Sequence, residues 1–323
     1  MSQRSSSVET WRKSGRSSGR DRRGHATSGG RPTRYEFSTV ALRFESGEGR
    51  CQGRLYKPDR PTDPPVVILA PGVGLTWRES LRPTAEALAE RGYAAFVFDY
   101  RGFGLEEPDA DGVVSPTRQR TDLDAAIQEM LSVPDVDTDR IALWGTDLSA
   151  GTALAAAAEE YRVRAVVARF PVVSGGQLVP GWVGPRVKGV GSSVLDRLLS
   201  LAGRRRTMPM FGYEGETALV VGPSVVRHVE RLSDEAGERR VPSRSFWALW
   251  RHGIGGSLEE VTCPTLFVAG EDDDLAPPDS VEKLSEKPAN ATFVRVPTDH
   301  YRSLSDRASN VLRHELAFLD AEL

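Results

Sequence analysis

The stretch from Arg140 to Thr152, RIALWGTDLSAGT, is where this chain could do chemistry. A short apolar run meets Gly145, a polar side chain follows two residues later, and small residues lead into an Ala-rich helix. A strand-to-helix turn of this kind strains the residue at its tip and exposes that side chain above a parallel sheet. The residues two before and two after the tip must be small. For Asp147 these are Gly145 and Ser149. For Ser149 they are Asp147 and Gly151, which puts a carboxylate where glycine is wanted and ends the strand late. Asp147 is therefore the expected nucleophile and Ser149 the alternative. A carboxylate is a poor acyl-transfer nucleophile, since an anhydride would result. It attacks saturated carbon competently, and on an epoxide or a carbon–halogen bond it would give an alkyl ester of the enzyme.

The elements around this turn alternate. Tyr35–Glu45 and Cys51–Lys57 read as an antiparallel pair of strands. Pro65–Ala70, Tyr93–Asp99, Ile141–Gly145, Val163–Phe170, Pro264–Gly270 and Thr292–Val296 read as buried strands. Between them, Glu79–Arg91, Ser115–Leu131, Leu148–Glu160, Asp279–Glu286 and Ser303–Leu323 carry helical patterns, the first closed by Gly92. This order predicts a mostly parallel sheet flanked by helices. The rhythm breaks from Pro171 to about Glu260. A Gly-rich loop (Gly175–Gly191) and helices at Ser193–Leu201, Ser224–Ala236 and Ser243–Trp250 are expected there. A span that long is no loop, so residues 171–260 are expected to form a helical cap inserted into a core made of 35–170 and 261–323.

Four segments fall at the C-terminal ends of strands, where open α/β sheets bind ligands. They are Ala70–Gly74, the Asp147 turn, Gly270–Pro278 and Pro297–Arg302. With Phe98-Asp-Tyr-Arg-Gly-Phe-Gly104, they make the chain from about residue 35 to its end resemble the α/β-hydrolase superfamily. The likeness is to the branch of dienelactone-hydrolase-like, acyl-peptidase-like and serine-aminopeptidase-like enzymes. The resemblance implies an α/β-hydrolase fold with an inserted helical cap and a triad in the order nucleophile, acid, histidine. The acid it implies is Asp273, in a Gly-x-x-Asp loop ahead of a proline, with its neighbours Asp272 and Asp274 as alternatives. The base it implies is His300, after the last strand; His25, His228, His252 and His314 lie in the tail, the cap and the last helix. The oxyanion donors it implies are the amides of Leu148 and Val73, or Gly72 beside the latter. Asp at the tip is similar to epoxide hydrolases and dehalogenases of the same fold. The likeness to them is incomplete. Ala70-Pro-Gly-Val replaces their His-Gly-x-Pro, the cap offers one tyrosine (Tyr213) to protonate a leaving oxygen, and Leu148 follows the nucleophile where a halide-binding Trp is common. Trp182, Trp247 and Trp250 are candidates to line a pocket or hold a halide.

Three functions stay open at this point. One is hydrolysis by Asp147, Asp273 and His300 of an epoxide, halide or ester-like small molecule. The second is a serine esterase or peptidase using Ser149. The third is a non-hydrolytic or inactive member of the same fold. Composition narrows the surroundings. Two cysteines, Cys51 and Cys263, give no disulfide framework, and no Cys-x-x-Cys or His-x-x-x-His motif suggests a metal, so no cofactor is expected. No secretory leader and no apolar run of membrane-spanning length is present, so a cytoplasmic protein with no membrane partner is expected. Residues 1–34 hold nine Lys/Arg against two acids, leaving 33 basic against 43 acidic residues in the rest. That tail, rich in Ser, Gly and Arg, is expected to be disordered. An acidic body makes nucleic acid an unexpected main partner. A small-molecule substrate is expected, and the sequence is silent on its identity and on oligomeric state.

Overall fold

The computed structural model describes residues 34–104, 111–178, 183–223, 225, 239–254, 257–302 and 310–323. Residues 1–33 of the expected tail and most of the expected helix at 224–236 lie outside these, as do Trp182, His25 and His228.

Eight strands build one sheet: β1 (Phe37–Ser46), β2 (Gly49–Pro58), β3 (Pro65–Ala70), β4 (Ala94–Asp99), β5 (Asp137–Thr146), β6 (Val163–Arg169), β11 (Thr265–Gly270) and β12 (Ala291–Val296). Their spatial order is β1-β2-β4-β3-β5-β6-β11-β12. β2 pairs antiparallel with both β1 and β4, and the remaining pairs are parallel. The α/β-hydrolase fold expected from the sequence is therefore present: a mostly parallel sheet flanked by helices.

Alternation along each strand divides the core into two layers. Val66 and Ile68 of β3, Phe96 and Phe98 of β4, and Leu143 of β5 face helices α3 (Pro116–Met130) and α4 (Leu148–Glu159). Val67 and Leu69, Val97, and Trp144 face α2 (Arg82–Arg91) and α9 (Asn310–Glu322). Each of these large side chains is worth about 1.5–3 kcal/mol when taken from water, and the fully buried β3 and β4 hold no polar residue before Asp99.

Several boundaries move for local reasons. The helix expected over Glu79–Arg91 is split into α1 (Trp77–Ser80) and α2. Pro83 has no N–H to offer the Glu79 carbonyl, so the ladder breaks at Leu81. Gly92 closes α2 at φ +107°, a conformation that suits glycine. Ser115 caps α3 by accepting the Arg118 amide.

Residues 171–260 depart further from expectation. Besides α5 (Gly175–Leu178), α6 (Val183–Ser200) and α7 (Arg244–Trp250), the described residues of this span hold four short strands: β7 (Thr207–Pro209), β8 (Phe211–Gly212), β9 (Val220–Val221) and β10 (Arg240–Pro242). A purely helical insert is thus corrected to a mixed one. The Gly-rich stretch expected as a loop is largely helix: α6 starts ten residues before the predicted Ser193. Gly189 explains part of this, since a Cβ there would meet the Phe246 ring at 2.5 Å. The helix exchanges propensity for close approach to α7. In the core, α8 (Pro278–Ser285) follows the acid loop as expected.

The insert covers the C-terminal ends of the strands through a third apolar cluster. In it Met208, Met210, Phe211, Phe246 and Leu249 meet Val73, Leu148, Leu275 and Tyr301.

Candidate active site

Three loops bring the singled-out residues together under that cluster. β5 ends at Thr146 and α4 begins at Leu148, so Asp147 alone makes the turn. Its φ of +59° is a left-handed conformation costly for a non-glycine residue. The surroundings hold it there: the Asp147 amide donates to the Arg169 carbonyl, and its own carbonyl accepts the Ala150 and Val172 amides. Gly145 is required beneath the turn, because a Cβ would meet the Ser149 carbonyl oxygen at 2.3 Å. Ser149 lies inside α4, and its Oγ donates to the Pro71 carbonyl at 2.5 Å and bonds the Tyr100 hydroxyl at 2.8 Å.

The Asp147 carboxylate is held asymmetrically. Oδ2 accepts the Val73 amide at 3.0 Å, and the Leu148 amide also hydrogen-bonds the carboxylate. Oδ1 is buried with no hydrogen-bond partner among the described residues, 3.9 Å from His300 Nε2, which is equally unpartnered. On the other side of the ring, His300 Nδ1 meets Asp273 Oδ2 at 2.8 Å. Asp273 Oδ1 accepts the Leu275 and Ala276 amides at 2.9 and 2.8 Å, which fixes its orientation. Thus Asp147, His300 and Asp273 form one line, and both predicted oxyanion donors already point at Asp147.

Burial and neighbouring charge set the ionisation. Desolvation raises the Asp147 carboxyl above the usual range, opposed by the charge of His300 and the amides of Val73 and Leu148. Burial by itself would lower His300. The charge and hydrogen bond of Asp273, then the charge of Asp147, outweigh it and raise the imidazole. Tyr301 was not singled out by sequence. Its ring stands edge-on to His300 at 4.8 Å between centroids, and burial with the charges of Asp147 and Asp273 holds its hydroxyl protonated. The signal lay in the sequence as the residue directly after the histidine.

Other candidates lie elsewhere. Tyr213 is exposed, so the cap tyrosine expected to protonate a leaving oxygen is not in a buried site. Trp247 and Trp250 form an edge-to-face pair at 5.5 Å, both partly exposed. His314 is exposed on α9, and burial lowers His252 in the insert. Of the three neighbouring acids it is Asp273 that bonds Nδ1 of His300, and the charge of Asp274 adds to the upward pull on the imidazole. Among the described residues no group of three His, Cys, Asp or Glu could hold a metal ion, and no helix is long and apolar enough to cross a membrane.

The sequence pattern of the Alpha/beta hydrolase family matches residues 67–313. The chain belongs to that family. The expected enzyme class, hydrolase, stands with it. Quorum-quenching protein AidA of Acinetobacter baumannii (strain MDR-ZJ06) is 28% identical over 284 residues, covering 86% of this chain and 93% of that one. Thiohydrolase apmlB of Arthrinium phaeospermum is 35% identical over 107 residues, 33% of this chain and 35% of that one. Among solved structures, DcsB in complex with its substrate analogue superposes with a TM-score of 0.76 at 22% identity, over 89% of this chain and 99% of that chain.

Proposed function

We propose that this hydrolase opens a small electrophile at saturated carbon, an epoxide or alkyl halide, with Asp147 as nucleophile, His300 as base and Asp273 as its orienting acid. The observation that carries this reading is the split role of the Asp147 carboxylate. Oδ2 rests on the Val73 amide while Oδ1 stays unbonded, 3.9 Å from His300 Nε2. Attack by Oδ1 forms the carbon–oxygen bond of an enzyme ester and expels halide or opens the epoxide to an alkoxide. Tyr301 is the candidate proton donor to that alkoxide. His300 then takes a proton from water, and the hydroxide attacks Cγ of Asp147. The negative charge of the tetrahedral intermediate develops on Oδ2, against the amides of Val73 and Leu148. On collapse the oxygen that was Oδ1 leaves with the proton held by His300, giving the alcohol, and the proton remaining on the Asp147 carboxyl goes back to Tyr301 after epoxide opening or to solvent after halide loss.

An ester-like substrate is the second reading, favoured by the thiohydrolase likeness. There His300 would activate water directly at an acyl carbon. It has the drawback that Asp147 already occupies the Val73 amide. Ser149 as nucleophile has less support still, since its hydroxyl is engaged by Pro71 and Tyr100.

The test is trapping. His300→Ala is incubated with terminal epoxides and 1-haloalkanes, and the mass of the peptide containing Asp147 is read. An alkyl adduct on Asp147 is expected. In the wild type, a single turnover in 18O-water should leave 18O in Asp147 and 16O in the alcohol. Solvent oxygen in the first-turnover product, with no adduct on the variant, would overturn the nucleophile assignment.

A further inference from the structure

Helix α6 is turned inside out. Its fully buried positions are Gly189, Ser193 and Asp196, with Val190 beside them packed partly buried against the apolar cluster. Ser193 donates to the Ser243 carbonyl at 2.6 Å. Asp196 accepts the Arg206 and Arg244 amides at 2.6 and 3.1 Å. Polar and small residues thus fix the helix to the rest of the insert. The outward face carries aliphatic side chains: Val187, Val194, Leu195 and Leu198, with Leu201 just past the helix end, are between 41% and 86% exposed. Their spacing places them in one stripe on the face opposite Asp196. Gly191 lies within that stripe, and a Cβ there would touch nothing within 4 Å. An amphipathic helix of a water-facing surface has the reverse arrangement, and a contiguous exposed apolar face marks an interaction site.

Charge decides between occupants. Arg186, Lys188, Arg197, Arg204, Arg205 and Arg206 surround the stripe, and the sole acid of the segment, Asp196, is buried and bonded inward. A second copy related by a two-fold axis would bring Lys188 and Arg197 against the same charges. The amino-terminal segment of this chain, with nine basic residues against two acidic, is repelled in the same way. An anionic surface is complementary to both. The neighbouring α7 adds the partly exposed Trp247 and Trp250, side chains favoured at the boundary of water and lipid.

We propose that the outer face of α6 docks the insert flat onto an anionic lipid surface, with its Val and Leu side chains in the acyl boundary and its Arg and Lys at the phosphates. The surface lies on the segment that covers the strand ends, so docking would bring the site close to lipid-dissolved molecules. The assignment does not depend on which residue is the nucleophile.

The test is vesicle flotation of the full-length chain with phosphatidylcholine vesicles, with and without phosphatidylglycerol. Co-flotation is expected with the anionic vesicles, weakened by high salt. The exposed triple substitution Val187→Ser, Val194→Ser and Leu198→Ser should reduce bound protein at least tenfold while leaving the melting temperature and the turnover of a water-soluble substrate unchanged. Lys188→Glu with Arg197→Glu should do the same and remove the preference for anionic lipid. Flotation that survives the triple substitution would overturn the proposal, because the basic amino-terminal segment would then suffice. A lipid-free dimer that the triple substitution dissociates would overturn it in favour of a second copy. No flotation at all would overturn it in favour of a protein partner.

Discussion

Asp147 combines two costs in one residue, a left-handed backbone and a buried carboxylate. Both become intelligible if the side chain is a reactant held in place, since strain and perturbed ionisation cluster where chemistry is done. On the proposed mechanism the pH dependence follows from His300. To activate water the imidazole must be neutral, and its pKa is raised, chiefly by Asp273 against the opposing effect of burial. Turnover is therefore expected to fall on the acid side as pH drops through that raised pKa. In Asp273→Asn the upward influence is lost and burial pulls the imidazole down, so the acid limb of kcat should move to lower pH. The rate itself should fall roughly 100-fold or more, the range for impaired acid–base catalysis, because the ring is no longer held by a carboxylate. A pH–kcat profile of the two proteins checks both. An acid limb that stays in place would mean that some other group than His300 sets it.

At the scale of elements, the turn depends on what lies beneath it. Arg169 ends β6 and lends its carbonyl to the Asp147 amide. Its guanidinium forms a two-point bond with Glu315 of α9 at 2.6 and 2.5 Å, both residues buried, and stacks on Trp144 at 4.6 Å. A buried pair of this kind adds little net stability over an apolar equivalent, but losing one member strands a charge. Glu315→Ala should cost about 3–5 kcal/mol in urea unfolding, and Arg169→Met combined with Glu315→Leu should recover most of it. If the single substitution costs less than the double, the buried-charge account fails.

At the scale of the whole molecule, the insert meets the core in an apolar joint over the site, besides the contacts that Val173, Ile254 and Leu258 make with the main core. Leu249 of α7 is fully buried there with Leu148, which follows Asp147. Leu249→Ala should lower stability by about 2–5 kcal/mol, the range for a truncated core leucine, and loosen the cover over the site. Calorimetry together with steady-state kinetics would check this: the expected outcome is a lower melting temperature and a raised KM with kcat less affected. An unchanged KM beside a lowered melting temperature would mean that the joint supports the fold alone.

Pattern along the chain was enough for the sheet and for the turn. Strands buried on both faces, such as Pro65–Ala70, announce themselves as apolar runs, and Gly145 before Asp147 with Ser149 after it is a local steric requirement. Asp273 and His300 were implied by the resemblance, and they lie in loops three and four residues past the strand ends Gly270 and Val296. What sequence alone could not supply is whatever depends on faces meeting across the fold. The insert read as helical because two- and three-residue strands such as Phe211–Gly212 are too short to show alternation. Tyr213 and Tyr301 look alike in sequence, yet packing exposes one and lays the other against His300. Which amides hold Asp147 Oδ2, and that α6 turns its leucines outward, follow from which groups other elements cover, a property of three-dimensional burial that no linear spacing encodes.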